Sequence, residues 1–74
     1  MQTIHLQGIG EKEAVAAREL KVGDTLMWNF GYTSTIIEIL KETAKSITIK
    51  TKNKDNYIGT RRLFKTTLVA RVNN

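Results

Sequence analysis

The stretch Ser46-Ile47-Thr48-Ile49-Lys50-Thr51-Lys52 decides the fold. Ile47, Ile49 and Thr51 fall on one side of an extended chain, and Ser46, Thr48, Lys50 and Lys52 on the other. That period of two makes one apolar face on a strand and none on a helix. Ile47, Thr48, Ile49 and Thr51 are also β-branched, a shape that loses rotamer freedom in a helix and packs well on a pleat. The preference runs through the whole chain, where 4 valines, 8 isoleucines and 10 threonines stand among 74 residues.

Working outward, Asn53-Lys54-Asp55-Asn56 has turn chemistry, since Asn and Asp tolerate left-handed backbone and bond locally. Residues 57–64 return as a strand, and Leu68-Val69-Ala70-Arg71-Val72 alternates once more. On the other side, the short polar Lys41-Glu42-Thr43-Ala44-Lys45 reads as a hairpin connection after a strand ending in Ile36-Ile37-Glu38-Ile39-Leu40. Leu26, Trp28 and Phe30 alternate with Thr25, Met27 and Asn29, and Gly31 then frees the chain to turn. Thr3-Ile4-His5-Leu6-Gln7 alternates before Gly8-Ile9-Gly10 breaks the run. Residues 11–21 stay open between a strand with a tight turn and a short helix, because their Glu, Ala, Lys and Arg favour a helix while Val15 and Leu20-Lys21-Val22-Gly23-Asp24 favour the turn.

The expected fold is all-β, with strands near 3–7, 14–18, 25–30, 34–41, 45–52, 57–64 and 68–72, five to six of them regular and antiparallel. A sheet this small buries one apolar face by curling onto itself, and closing into a small β-barrel also removes its edges. Leu26, Trp28, Ile37, Ile39, Ile47, Ile49, Leu68 and Ala70 are the expected core. Residues 1–74 make one domain, in which 1–13 form an N-terminal strand and turn.

The missing residues exclude as much as the present ones suggest. The chain has no cysteine, hence no disulfide framework and no thiolate for metal binding or nucleophilic attack. His5 is the single histidine and is expected on a strand surface or edge. Gly8-Ile9-Gly10 lacks the third glycine of a dinucleotide fingerprint, and no Walker-type Gly-Lys-Ser/Thr occurs. No enzyme activity, metal or cofactor is therefore expected. The longest apolar run is the four residues from Ala14 to Ala17, too short for a membrane span or a secretory signal, so the expected location is cytoplasmic.

Charge points to a partner. The net charge is +5, yet residues 1–40 carry three cations against five acids, while residues 41–74 carry nine cations against Glu42 and Asp55. A one-sided basic surface on a small fold is the footprint of a polyanion binder. Lys50 and Lys52 share one side of a strand about 6.5 Å apart along it, near the phosphate repeat of a single nucleic-acid strand. Lys54 follows in the turn, and Tyr57 returns beside them. Arg61 and Arg62 point to opposite faces, so at most one joins the lysine row; Arg61 is the first choice and Arg62 the second. Tyr32, after Gly31 in a turn, has little to bury against and is a further contact candidate, whereas Trp28 is expected in the core. Cations for phosphates and an aromatic face for bases are the parts by which single strands are held.

The residues Val15-Ala16-Ala17-Arg18-Glu19-Leu20-Lys21-Val22-Gly23-Asp24 and Trp28-Asn29-Phe30-Gly31-Tyr32-Thr33-Ser34 resemble those of small SH3-like β-barrel proteins encoded by phages and prophages of Gram-positive bacteria. Tyr57-Ile58-Gly59-Thr60-Arg61-Arg62 and Lys65-Thr66-Thr67-Leu68-Val69-Ala70 extend the likeness, which covers about residues 15–72. It implies an SH3-like barrel of mobile-element origin and no particular activity. KOW-type modules share the Gly23-Asp24 opening but carry further glycines absent here, and the order of aromatics differs from that of cold-shock domains. Two functions follow as expectations. One is non-enzymatic binding of single-stranded DNA or RNA through Lys50, Lys52, Lys54, Tyr57 and Arg61, with Arg62 and Tyr32. The other is a protein-binding inhibitor of a host nucleic-acid-handling or defence enzyme, of the anti-CRISPR kind. A third possibility is a homodimer formed through an open sheet edge, with structural duties only; the expected state is monomer or homodimer.

Overall fold

In the computed structural model, which describes residues 2–72, the decisive stretch is the strand β5 (Ser46–Asn53). Around it lie β1 (Gln2–Leu6), β2 (Gly10–Ala16), β3 (Thr25–Met27), β4 (Thr33–Glu42), β6 (Ile58–Phe64) and β7 (Leu68–Arg71). All pairings are antiparallel, and the seven strands form one sheet in the order β1-β2-β7-β3-β4-β5-β6. The fold is thus all-β, with seven strands where five to six regular ones were expected. Nor does the sheet close, because β1 and β6 remain its two ends. It curls instead: the 3-10 turn Ala17–Glu19 meets both ends of the β6–β7 connection, with Ala17 N–H donating to Thr67 O at 2.8 Å and Arg18 N–H to Lys65 O at 3.1 Å.

That 3-10 turn also settles residues 11–21, which form a strand and then a single tight turn. The strand begins at Gly10, ahead of the expected residue 14, because β1 pairs along it from Leu6↔Gly10 to Gln2↔Ala14. Downstream, Asp24 is buried at 1% exposure. Its Oδ2 accepts Lys21 N–H at 3.0 Å and lies 3.5 Å from Arg71 Nη1, tying the Lys21–Asp24 turn to β7.

Seven residues make the core: Ala17, Leu20, Leu26, Ile36, Ile47, Ile49 and Val69, with Val15, Trp28, Ile39 and Leu63 packed against them. Of the expected core, Leu26, Ile47, Ile49 and Ala70 are fully buried, whereas Trp28, Ile39 and Leu68 are half-buried. On β7 the phase differs from expectation. Val69 takes the core side, opposite Val15, while Ala70 is buried on the other face, opposite Ala14. β7 has both edges paired, with β2 and β3, and β1 folds back to contact it.

Ile37 is the clear correction. It is 38% exposed, and Ile36 is the buried residue. The β4–β5 register shifts between Ile36 and Glu38 and again between Ile39 and Lys41. Each β-bulge leaves one extra residue unpaired and resets the alternation. The extra residues, Ile37 and Leu40, are turned out, while Ile36 and Ile39, three apart, both reach the core side.

The β3 strand is also shorter than expected. It ends at Met27, and Asn29–Gly31 form a 3-10 turn in which Phe30 has φ +64° and Gly31 φ +82°. Left-handed backbone is unfavourable for a bulky side chain, and it takes Phe30 off the Leu26 face to 64% exposure. The conformation is held from outside. Phe30 N–H donates to Gln7 O at 2.6 Å, Gln7 N–H donates to Asn29 Oδ1 at 3.0 Å, and the Phe30 ring lies 2.8 Å from where a Cβ on Gly8 would sit. Only a glycine at position 8 admits that ring.

Candidate nucleic-acid interface

Two hairpin tips, the β3–β4 tip and the β5–β6 tip, enclose an open groove of about 550 Å³. Its walls include Trp28, Phe30 and Tyr32 on one side and Lys54, Tyr57 and Arg61 on the other. Four of the five aromatic residues of the chain therefore line one groove. Phe30, Tyr32 and Tyr57 are 64%, 69% and 74% exposed, far beyond what packing alone would leave open.

Each wall is locally rigid. Trp28 N–H donates to Tyr32 O at 2.7 Å, closing the β3–β4 tip, and the indole Nε1 donates to Ser34 Oγ at 3.0 Å, which fixes the ring. Across the groove, Asn53 organises its turn. Its Oδ1 accepts Asp55 N–H at 2.9 Å and Tyr57 N–H at 3.0 Å, and its own N–H donates to Tyr57 O at 3.0 Å. Asn56 occupies the left-handed region at φ +66°, which asparagine tolerates. Lys54 and Tyr57 are thus presented by backbone bonded to one side chain.

Register divides the remaining candidates. Arg61 pairs with Ile49 and so projects to the core face, where its guanidinium carbon lies 4.1 Å above the centre of the Trp28 ring. That is a cation–π contact, and it bridges from the edge strand β6 to the end of β3. Arg62 pairs with Thr48 and shares the outer face with Lys50 and Lys52. The arginine that joins the lysine row is therefore Arg62, the second choice of the sequence reading.

The lysine row is partly neutralised. Glu38 pairs with Lys50 across β4–β5, with Oε1 4.0 Å from Nζ. Arg62 Nε is 3.5 Å from Ser46 Oγ. Lys52 is exposed, and with Lys54 it lines a second, shallower groove bearing Thr33, Ser34 and Thr35 hydroxyls and the amides of Asn53 and Asn56. Lys54, Ser34 and Asn53 border both grooves, so the polar groove continues from the aromatic one around the β5–β6 turn. The structure groups Tyr32, Lys54, Tyr57 and Arg61 in one groove, Lys52 beside it, and Lys50 and Arg62 on the outer face.

Sequence reasoning missed Phe30 and the double role of Trp28, which packs one part of its ring on the core and offers another to the groove. The available signal was the spacing of Trp28, Phe30 and Tyr32 around Gly31, three aromatics in five residues at one hairpin tip. His5 lies exposed on β1 with Nδ1 3.9 Å from Glu11 Oε1. Among the described residues no three of His, Asp and Glu gather in a way that would hold a metal ion, and no helix is long and apolar enough to cross a membrane.

Comparison with protein-family models, with curated proteins and with solved structures finds no match to this chain. The class defined by fold and groove is that of a small all-β protein: one open, curled, seven-stranded antiparallel sheet carrying an aromatic groove between two hairpin tips.

Proposed function

We propose that this chain binds single-stranded nucleic acid, with bases against Tyr32 and Tyr57 in the aromatic groove and phosphates on Lys54 and Lys52 around the β5–β6 turn. The observation that carries the reading is the joining of an exposed aromatic groove to a polar, lysine-bearing groove on a chain of net charge +5. Stacking on aromatic side chains is open to every base and contributes about 1–3 kcal/mol per base, while lysines neutralise the backbone. A duplex hides its base faces and cannot use such walls. Lys50 and Arg62 add to the field from the outer face. In this reading the protein works in the cytoplasm without catalysis or cofactor, as an open-sheet variant of the phage-type SH3-like proteins that residues 15–72 resemble.

Fluorescence anisotropy with labelled single-stranded DNA and RNA of about a dozen nucleotides tests it at about 50 mM salt, where electrostatic affinity is generous. Two phosphates neutralised by Lys52 and Lys54 give a log–log salt slope of about −1.4. Tyr57→Ala is expected to weaken binding about tenfold, within the range of one stacked base. Lys52→Glu with Lys54→Glu is expected to abolish binding with little change in melting temperature, because exposed charges contribute little to stability. No binding of either strand type would end the reading.

A second reading rests on Ile58 and Phe30, which are 57% and 64% exposed beside the groove. Exposed apolar groups near a polar rim also suit a protein surface, here that of a host nucleic-acid-handling or defence enzyme. A partner held from host lysate after nuclease treatment, and lost with Tyr57→Ala, favours this inhibitor role.

A further inference from the structure

We propose that Arg61 makes the groove prefer guanine to adenine, a refinement that rests on the nucleic-acid reading above. The guanidinium is already placed: it sits 4.1 Å above the Trp28 ring, and that ring is held by the Nε1–Ser34 hydrogen bond. Among the described residues, no hydrogen bond or ion pair engages its N–H groups. A long side chain ordinarily loses conformational freedom on binding a ligand. Here much of that freedom is already lost to the indole, while the planar fork of donors stays available.

Such a fork matches two acceptors side by side. Guanine presents O6 and N7 together on one edge. Adenine sets an N6 donor beside its N7, and thymine offers O4 beside a methyl group, so neither satisfies two parallel N–H groups there; cytosine carries paired acceptors only on its other edge, at N3 and O2. A phosphate also has paired oxygens, but the groove suits it poorly. Trp28 lies beneath Arg61; Phe30, Tyr32 and Tyr57 also line the groove, and the acidic Asp55 stands there opposite in sign to Lys54. A flat base with an acceptor edge fits aromatic walls, and an anion does not. The lysines around the turn, at Lys52 and Lys54, are the better phosphate contacts.

The test uses the whole chain and four single-stranded DNA probes, each a thymine dodecamer with one central base: guanine, inosine, 7-deazaguanine or adenine. Inosine keeps O6 and N7 and loses the 2-amino group; 7-deazaguanine loses N7. Guanine and inosine are expected to bind about tenfold tighter than adenine, as one bidentate pair provides, and 7-deazaguanine is expected to fall close to adenine. Arg61→Lys keeps the charge and removes the fork, so it is expected to erase the preference, bringing the guanine probe down to the affinity of the adenine probe. Equal binding of all four probes overturns the proposal and leaves the groove reading standing. Loss of preference with inosine but not with 7-deazaguanine overturns it too, by assigning recognition to the other edge of the base. If Arg61→Lys weakens every probe equally, Arg61 meets phosphate and the proposal fails. Failure of all four probes to bind sinks the nucleic-acid reading itself.

Discussion

β5 and β6 are neighbours paired over seven positions, and they live in different environments. In β5, Ser46, Ile47 and Ile49 are buried; in β6 every residue except the half-buried Leu63 is exposed. The contrast begins with position in the sheet. β5 has a partner on each side, whereas β6 ends the sheet and has one free edge. An open edge invites pairing with other chains, and adjacent arginines at Arg61 and Arg62 are a means of discouraging it. At the same register position, β5 supplies Ile49 to the core and β6 supplies Arg61 to the groove. Within this pair the core rests mainly on β5, while β6 turns Arg61 toward the groove.

The largest expected effect lies on β5. Ile49→Ala removes three methyl(ene) groups from a site with 0% exposure and is expected to cost about 2–5 kcal/mol. In a domain of this size that lowers the melting temperature by at least about 8 °C, as thermal unfolding followed by circular dichroism would show. A shift of only a degree or two would break the comparison. Leu63→Ala tests the one place where β6 contributes to the core, opposite Ile47. Half-buried, it is expected to cost about 1–2 kcal/mol, so a loss equal to that of Ile49→Ala would mean that β6 is no mere edge. Smallest is Arg61→Ala, across from Ile49, where loss of an exposed cation–π contact is worth under about 1 kcal/mol. Its binding defect should nevertheless exceed that of Leu63→Ala, reversing the order found by melting.

The sequence made β5 and its turn legible because alternation there is unbroken and Asn53-Lys54-Asp55-Asn56 bonds to itself. It failed on β4, where no single period accommodates both Ile36 and Ile39. The two bulges that reconcile them depend on the partner strand, not on local preference. Phe30 was misplaced for a similar reason, since its left-handed backbone is secured by Gln7 and Gly8 from the far end of another hairpin. As for the site, Tyr32, Lys54 and Tyr57 were visible as exposed groups at turns. Which arginine shares the face of Lys50 and Lys52 was not, because the phase of β6 is set by its ladder to β5. That Lys50 would meet Glu38 depended on the same bulged register.

The position of β7 has a consequence for the order of events during synthesis. This late segment lies in the middle of the sheet, joined to β2 on one side and β3 on the other. Without it, the β1–β2 hairpin and the β3–β4–β5–β6 meander share no backbone ladder at all. Domains tend to form from the N-terminal end as the chain is made, but here the early hairpin must wait for residues 68–71 before β2 has a second strand to pair with. Both halves meanwhile hold open edges, and long-range pairing is the slow kind. The finished sheet is therefore assembled by its last strand, as an arch is by its keystone.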